Sequence, residues 1–140
     1  MPITTSAQFS TQYDWAALVG RILLALIFIM SGFNKISGFE GLAGSIASKG
    51  LPMPQALAAA TILVELGGGM LLVVGWKARW AALAIAGFCV LSAFIFHNYW
   101  TFPPEQRMNQ FNNFWKNIAI AGGMLMVLAF GPGRYAVDRN

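Results

Sequence analysis

Residues 54–96 read PQALAAATILVELGGGMLLVVGWKARWAALAIAGFCVLSAFIF. On each side of Gly75-Trp76-Lys77-Ala78-Arg79 lies an apolar run of about the 20 residues that a helix needs to cross the hydrocarbon core of a bilayer. A connection this short makes the two helices antiparallel neighbours. Within the first run sits Glu65, eleven positions after Pro54, at a depth of about 16 Å for a rise of about 1.5 Å per residue. A charge near the midplane costs at least about 2.5–3.5 kcal/mol unless it finds a partner or water, so Glu65 needs an explanation.

The rest of the chain extends this reading. Its 140 residues are 57% hydrophobic and only 10% charged, too few charges to solvate an ordinary soluble domain. Four spans, at about 15–34, 54–74, 79–96 and 111–130, use most of the length. We therefore expect residues 1–140 to form one integral membrane domain, an all-α four-helix transmembrane bundle. Residues Met1 to Asp14 contain no Lys or Arg, unlike the basic start of a cleaved leader, so the first span is expected to be retained. Between the first two spans Phe39, Leu42, Ala43 and Ile46 recur at helical spacing, which predicts a short interfacial helix lying on the membrane surface. Gly50 ends it, and Pro52 and Pro54 suit the start of the next span. Residues His97 to Gln110, with Pro103 and Pro104, read as a loop, and Gly131-Pro132-Gly133 ends the fourth span. The runs Gly67-Gly68-Gly69 and Gly122-Gly123 predict close approach of the second and fourth helices.

Charge and composition exclude several functions. The net charge is +4, but Lys and Arg are scattered singly, so no nucleic-acid stripe forms and anionic membrane lipids are the expected counterparts. Lys77, Arg79, Arg134 and Arg139, with Arg21 nearby, share a side with both termini. Lys35, Lys49, Arg107 and Lys116 lie opposite, and the positive-inside rule then puts both termini in the cytoplasm. A single cysteine, Cys89, permits neither an intramolecular disulfide nor a CxxC relay and reads as an inert buried thiol. One histidine makes no metal cluster, and a bis-histidine haem would need a second chain. The triple glycine lies inside a span without the Lys-Ser/Thr of a phosphate loop, and no nucleophilic triad is credible around one histidine. The methionines do not cluster on one face, which disfavours a copper relay.

Several motifs in order resemble the DoxX family of small bacterial membrane proteins. They are Arg21 in the first span, Ser31-Gly32-Phe33-Asn34-Lys35 at its end, Gly50-Leu51-Pro52, and Glu65-Leu66-Gly67-Gly68. Further on come Gly75 with Arg79 and Ala81-Ala82-Leu83, Phe96-His97, Phe114-Trp115-Lys116-Asn117, and Gly131-Pro132-Gly133 with Asp138. The resemblance covers about Arg21 to Asp138 and is similar above all to the short inner-membrane members. It implies a four-helix inner-membrane protein. Relatives are associated with the quinone-reducing membrane part of a thiosulfate oxidoreductase, and with membrane complexes that handle oxidative stress alongside thiol and superoxide enzymes.

Two constellations are candidate sites, and no catalytic residue is assigned. Arg21 and Glu65 are expected to pair inside the bundle, either to fix helix register or to hold open a site for protons or a polar headgroup. Where the first span ends, Lys35, His97 and Lys116 could form a basic mouth above Glu65, with His97, Asn117 or Lys116 donating to a quinone ring between aromatic walls from Trp100, Phe114 and Trp115. The bland alternative is that His97 and Lys116 snorkel to the interface and the aromatics form the usual belt. The expected function is a redox-associated accessory or anchor subunit with a quinone or lipid pocket, beside a membrane oxidoreductase partner or as a homo-oligomer. A small carrier working through the Arg21–Glu65 pair and a purely structural assembly protein are the alternatives.

Overall fold

The structure is a computed structural model and describes residues 11–138. The expectations for residues 1–10 and for Arg139 fall outside it. Four long apolar helices account for most of the described chain: Asp14–Ser37, Pro54–Val74, Ala78–Phe96 and Pro104–Phe130. Each is long and apolar enough to cross a membrane. Leu23, Met30, Phe33, Leu63 and Leu91 point outward from the bundle and are exposed, as lipid-facing side chains must be when there is no water to avoid.

The core is built from small residues. The third span turns Ala78, Ala82, Ile85, Cys89 and Ala93 inward at steps of three or four, and its contact with the fourth span is the most extensive in the bundle. Leu72, Ile85, Cys89 and Met124 are fully buried at the centre. Without a hydrophobic difference between protein and lipid, such helices associate through close packing, which small side chains allow.

The glycines serve a different pair of helices from the one expected. A Cβ on Gly32 would lie 2.9 Å from the Cβ of Leu66, and one on Gly69 would lie 2.8 Å from Ile29, so these two glycines bring the first and second spans together. Gly68 meets Ile85 of the third span, Gly123 meets Leu24 of the first, and Gly122 faces open space. The second and fourth spans therefore do not meet through their glycines. The fourth span lies against the third, and the first span fills the gap.

The tight turn after the second span depends on Gly75 at φ +73°, where the N–H groups of Gly75 and Trp76 both donate to the carbonyl of Leu71, at 2.8 and 3.1 Å. The ten-residue helix Phe39–Ser48 docks on the start of the second span, burying Ala43 and Ile46 against Ala58. One boundary moves by two turns. The fourth helix starts at Pro104 rather than Phe111, because Pro104 at its first position and Glu105 in its first turn suit a helix N-terminus, although residues 104–110 are polar. The first helix likewise runs on to Ser37, and Tyr99–Thr101 forms a single tight turn within the loop.

Candidate functional site

Arg21 and Glu65 are the two buried charged residues among those described, at 3% and 2% exposure, and they do not meet. Glu65 Oε1 is bound by Lys35 Nζ at 2.6 Å, and the same Nζ donates to Ser31 Oγ at 2.8 Å. Arg21 instead donates to backbone carbonyls: Pro132, Val73 at 3.3 Å and Tyr135 at 2.8 Å. The expected Arg21–Glu65 pair is corrected to Lys35–Glu65, and the reason lies in helix geometry. Side chains on a helix lean towards its N-terminus. Lys35, near the end of the first span, leans back into the membrane towards Glu65. Arg21, near the start of the same span, leans the same way, which carries it away from Glu65 and towards the chain termini.

At that end Arg21 meets Val73 O in the last turn of the second span, the negative end of that helix dipole, and two carbonyls of the segment after the fourth span. Its Nε has no hydrogen-bond partner among the described residues. The tail after the fourth span is fastened there too, with the N–H groups of Val137 and Asp138 donating to Val74 O and Gly75 O at 3.1 and 3.0 Å. A carrier that worked by parting Arg21 from Glu65 has no such pair to work with.

Glu65 is set differently. It occupies the middle of a π turn, Leu63–Gly67, inside the second span. Such wide turns are rare and concentrate at functional sites. Its second oxygen, Oε2, is buried and has no hydrogen-bond partner among the described residues. Glu65 lines a cavity of about 160 Å³ whose polar wall also includes Ser31, Lys35, Ser92, His97, Lys116 and Asn117. His97 Nδ1 lies 2.7 Å from Gln110 Oε1, a contact that only the longer fourth helix makes available. With Nδ1–H donating to that oxygen, a neutral imidazole keeps its Nε2 lone pair for another group. Lys116 is exposed and donates to Asn113 Oδ1 at 3.2 Å.

Of the residues expected at a site, Lys35, Glu65, His97, Lys116 and Asn117 come together around this cavity. Trp100, Phe114 and Trp115 do not line it. The two tryptophans pack edge-to-face on Phe114, as part of an aromatic cluster with Phe94, Tyr99 and Phe111, and about half of each tryptophan side chain faces outward. Sequence reasoning left out Ser31 and Ser92 on the polar side of the wall and Cys89, Phe88, Phe28, Ile27 and Ile120 on the apolar side. A signal existed for Ser31, four residues before Lys35 on the same helix face. No group of three or more His, Cys, Asp or Glu residues that could hold a metal occurs among the described residues.

Comparison with known proteins adds a lineage. Residues 16–98 match the sequence model of the DoxX family, a stretch that includes Lys35, Glu65 and His97 and stops before Lys116 and Asn117. The chain is 37% identical over 123 residues to the inner membrane protein YphA of Escherichia coli, covering 88% of each. It is 37% identical over 126 residues to the inner membrane protein YqjF of the same bacterium, covering 90% of this chain and 92% of that one. A Surfeit locus protein 4 homolog of Drosophila melanogaster is 26% identical over 129 residues, 91% of this chain and 41% of the longer fly protein. No solved structure matches the chain.

Proposed function

The chain belongs to the DoxX family, and from that premise we propose that it is a multi-pass inner-membrane protein that serves a membrane redox system as an accessory subunit, holding the headgroup of a lipid-soluble quinone at Glu65. One observation carries the reading: a buried carboxylate in a π turn, with one oxygen on Lys35 and the other unpartnered, lines a polar cavity inside an apolar bundle. An unsatisfied buried acceptor costs about 1–3 kcal/mol or more when charged, a cost that a hydrogen-bonding ligand would remove.

The residues fit such a ring. Lys116 and Asn117 bring donors for a carbonyl oxygen, and Glu65 Oε2 and His97 Nε2 bring acceptors for a hydroxyl. When bound, a quinone supplies a two-electron, two-proton acceptor. With one histidine and one cysteine, the chain leaves electron transfer to a partner oxidoreductase. Its own residues orient the ring, keep hydrocarbon away from it and hold protons at Glu65 and His97. The cavity of about 160 Å³ is smaller than the pockets of about 300–1,000 Å³ that enclose a drug-sized molecule, so it admits a ring and excludes the remainder.

The test is purification from native membranes into nanodiscs, with mass spectrometry of the extracted small molecules and of co-purifying proteins. Quinone retained near one per chain by the wild type, and at least tenfold less by Glu65→Gln at unchanged folding, is the expected result. A wild-type protein carrying only phospholipid sinks the proposal.

A further inference from the structure

We propose that the tail of the molecule whose headgroup sits at Glu65 lies in the groove between the second and third spans, and that the molecule reaches its site sideways from the bilayer through that groove. This rests on reading the polar cavity as a headgroup site.

The groove encloses about 420 Å³ and is walled by Leu57, Ala60 and Val64 on one span and Ala84, Gly87 and Leu91 on the other. Its side-chain hydroxyls come from Thr61 and Ser92, and Thr61 Oγ1 is already committed to Leu57 O at 2.9 Å. To a hydrocarbon chain it is a continuation of the bilayer. Ile46 and Leu51 line it as well, which brings the docked helix and the loop after it to the end of the groove nearest the polar cavity.

Two features tie the groove to the cavity. Phe88 and Ser92, one turn apart on the third span, line both spaces, so a chain in the groove ends where the polar site begins. The opening is also local to that half of the bundle. At Gly68 a Cβ would lie 3.0 Å from Ile85, so there the second and third spans touch. At Gly87 a Cβ would meet nothing within 4 Å, although the residue sits in mid-helix where glycine costs about 1 kcal/mol relative to alanine. Close packing explains the first glycine, and the second opens on the groove, as Gly122 opens on free space elsewhere.

The other space adjoining the cavity shares Ser31 and Lys35 with it, lies between the first span and the docked helix, and is lined by Asn34 and Ser45 as well. That cleft suits water and protons. The site thus has a polar approach and an apolar one. A molecule with one ring and one chain uses the apolar approach without drawing its tail out of hydrocarbon.

Because bilayer and groove are equally apolar, the groove governs access and fit, and a tail does not bind there through the hydrophobic effect. A tailed probe also concentrates in the membrane, so comparing two probes on one protein decides nothing. Variants that fill the groove do decide it. The full chain in phospholipid nanodiscs is titrated with 2,3-dimethoxy-5-methylbenzoquinone, which is a ring alone, and with the same ring carrying a ten-carbon chain. Gly87→Phe fills the groove from its open side, and Ala60→Leu fills it independently from the facing wall. The expected result is that each variant weakens the tailed probe at least tenfold and leaves the ring alone within twofold. Unchanged binding of the tailed probe in both variants overturns the groove and leaves the headgroup site standing. Equal weakening of both probes also overturns it, since the variants then act on the cavity. If the wild type binds neither probe, the headgroup reading fails and the groove falls with it.

Discussion

The two ends of the bundle hold a buried charge in opposite ways. Arg21 is enclosed by three carbonyls, one at the end of the second span and two in the tail after the fourth, although its buried Nε has no partner among the described residues. Glu65 has one partner, on a lysine whose side chain is still 28% exposed, and an oxygen with none. The first arrangement ties distant parts of the chain together. The second leaves its spare atom on a carboxylate that lines a cavity beside a groove. A buried charge with an unpartnered atom is therefore no guide to function by itself, and the one that lines a cavity is the one worth following.

That contrast can be broken most severely at Arg21. Arg21→Met removes every hydrogen bond of the guanidinium and strands one carbonyl at a helix end and two in the tail, and hydrogen bonds to a charged group are worth about 1.5–3 kcal/mol each. With the desolvation of the guanidinium returned as a partial offset, we expect a loss of about 2–4 kcal/mol in denaturant unfolding in detergent. A loss below about 0.5 kcal/mol, the level of an ordinary surface change, would erase the distinction between the two ends.

A smaller effect is expected where the first two spans touch. Gly32→Ala puts a methyl group against Leu66 and should cost about 1–3 kcal/mol by overpacking. Gly122→Ala, which faces open space, should be neutral or slightly stabilising. If the two substitutions cost the same in thermal unfolding, close approach of the first two spans is not what delivers Lys35 to Glu65.

The smallest stability change should come from Glu65→Gln. It keeps the side chain's shape, and Lys35 retains Ser31 and access to the interface, so the expected cost is about 1 kcal/mol or less. A cost as large as that at Arg21 would make Glu65 a structural residue and remove the asymmetry.

Much of this was legible in the sequence. The spans, the docked helix and the breaks at Gly50, Gly75 and Gly131 follow from apolar length and from Gly and Pro punctuation. The early start at Pro104 was hidden because hydropathy marks where hydrocarbon begins, and a helix can begin before it. The partner of Glu65 was misread because depth was reckoned from backbone positions, while a lysine and an arginine on one helix both lean towards its N-terminus. The π turn leaves no residue signature apart from the glycines that follow it. The cavity wall unites Ser31 with Ser92 and Asn117, residues whose proximity only the packed bundle defines.

The enclosure of Arg21 also has a consequence for biogenesis. Two of the carbonyls that receive it belong to residues 111 and 114 positions later in the chain. During synthesis the first span enters the bilayer long before those residues leave the ribosome. In that interval the guanidinium lacks two of its three carbonyl acceptors and has to rely on water or headgroups in their place. The enclosure of a residue in the first span is thus completed only by the last segment made.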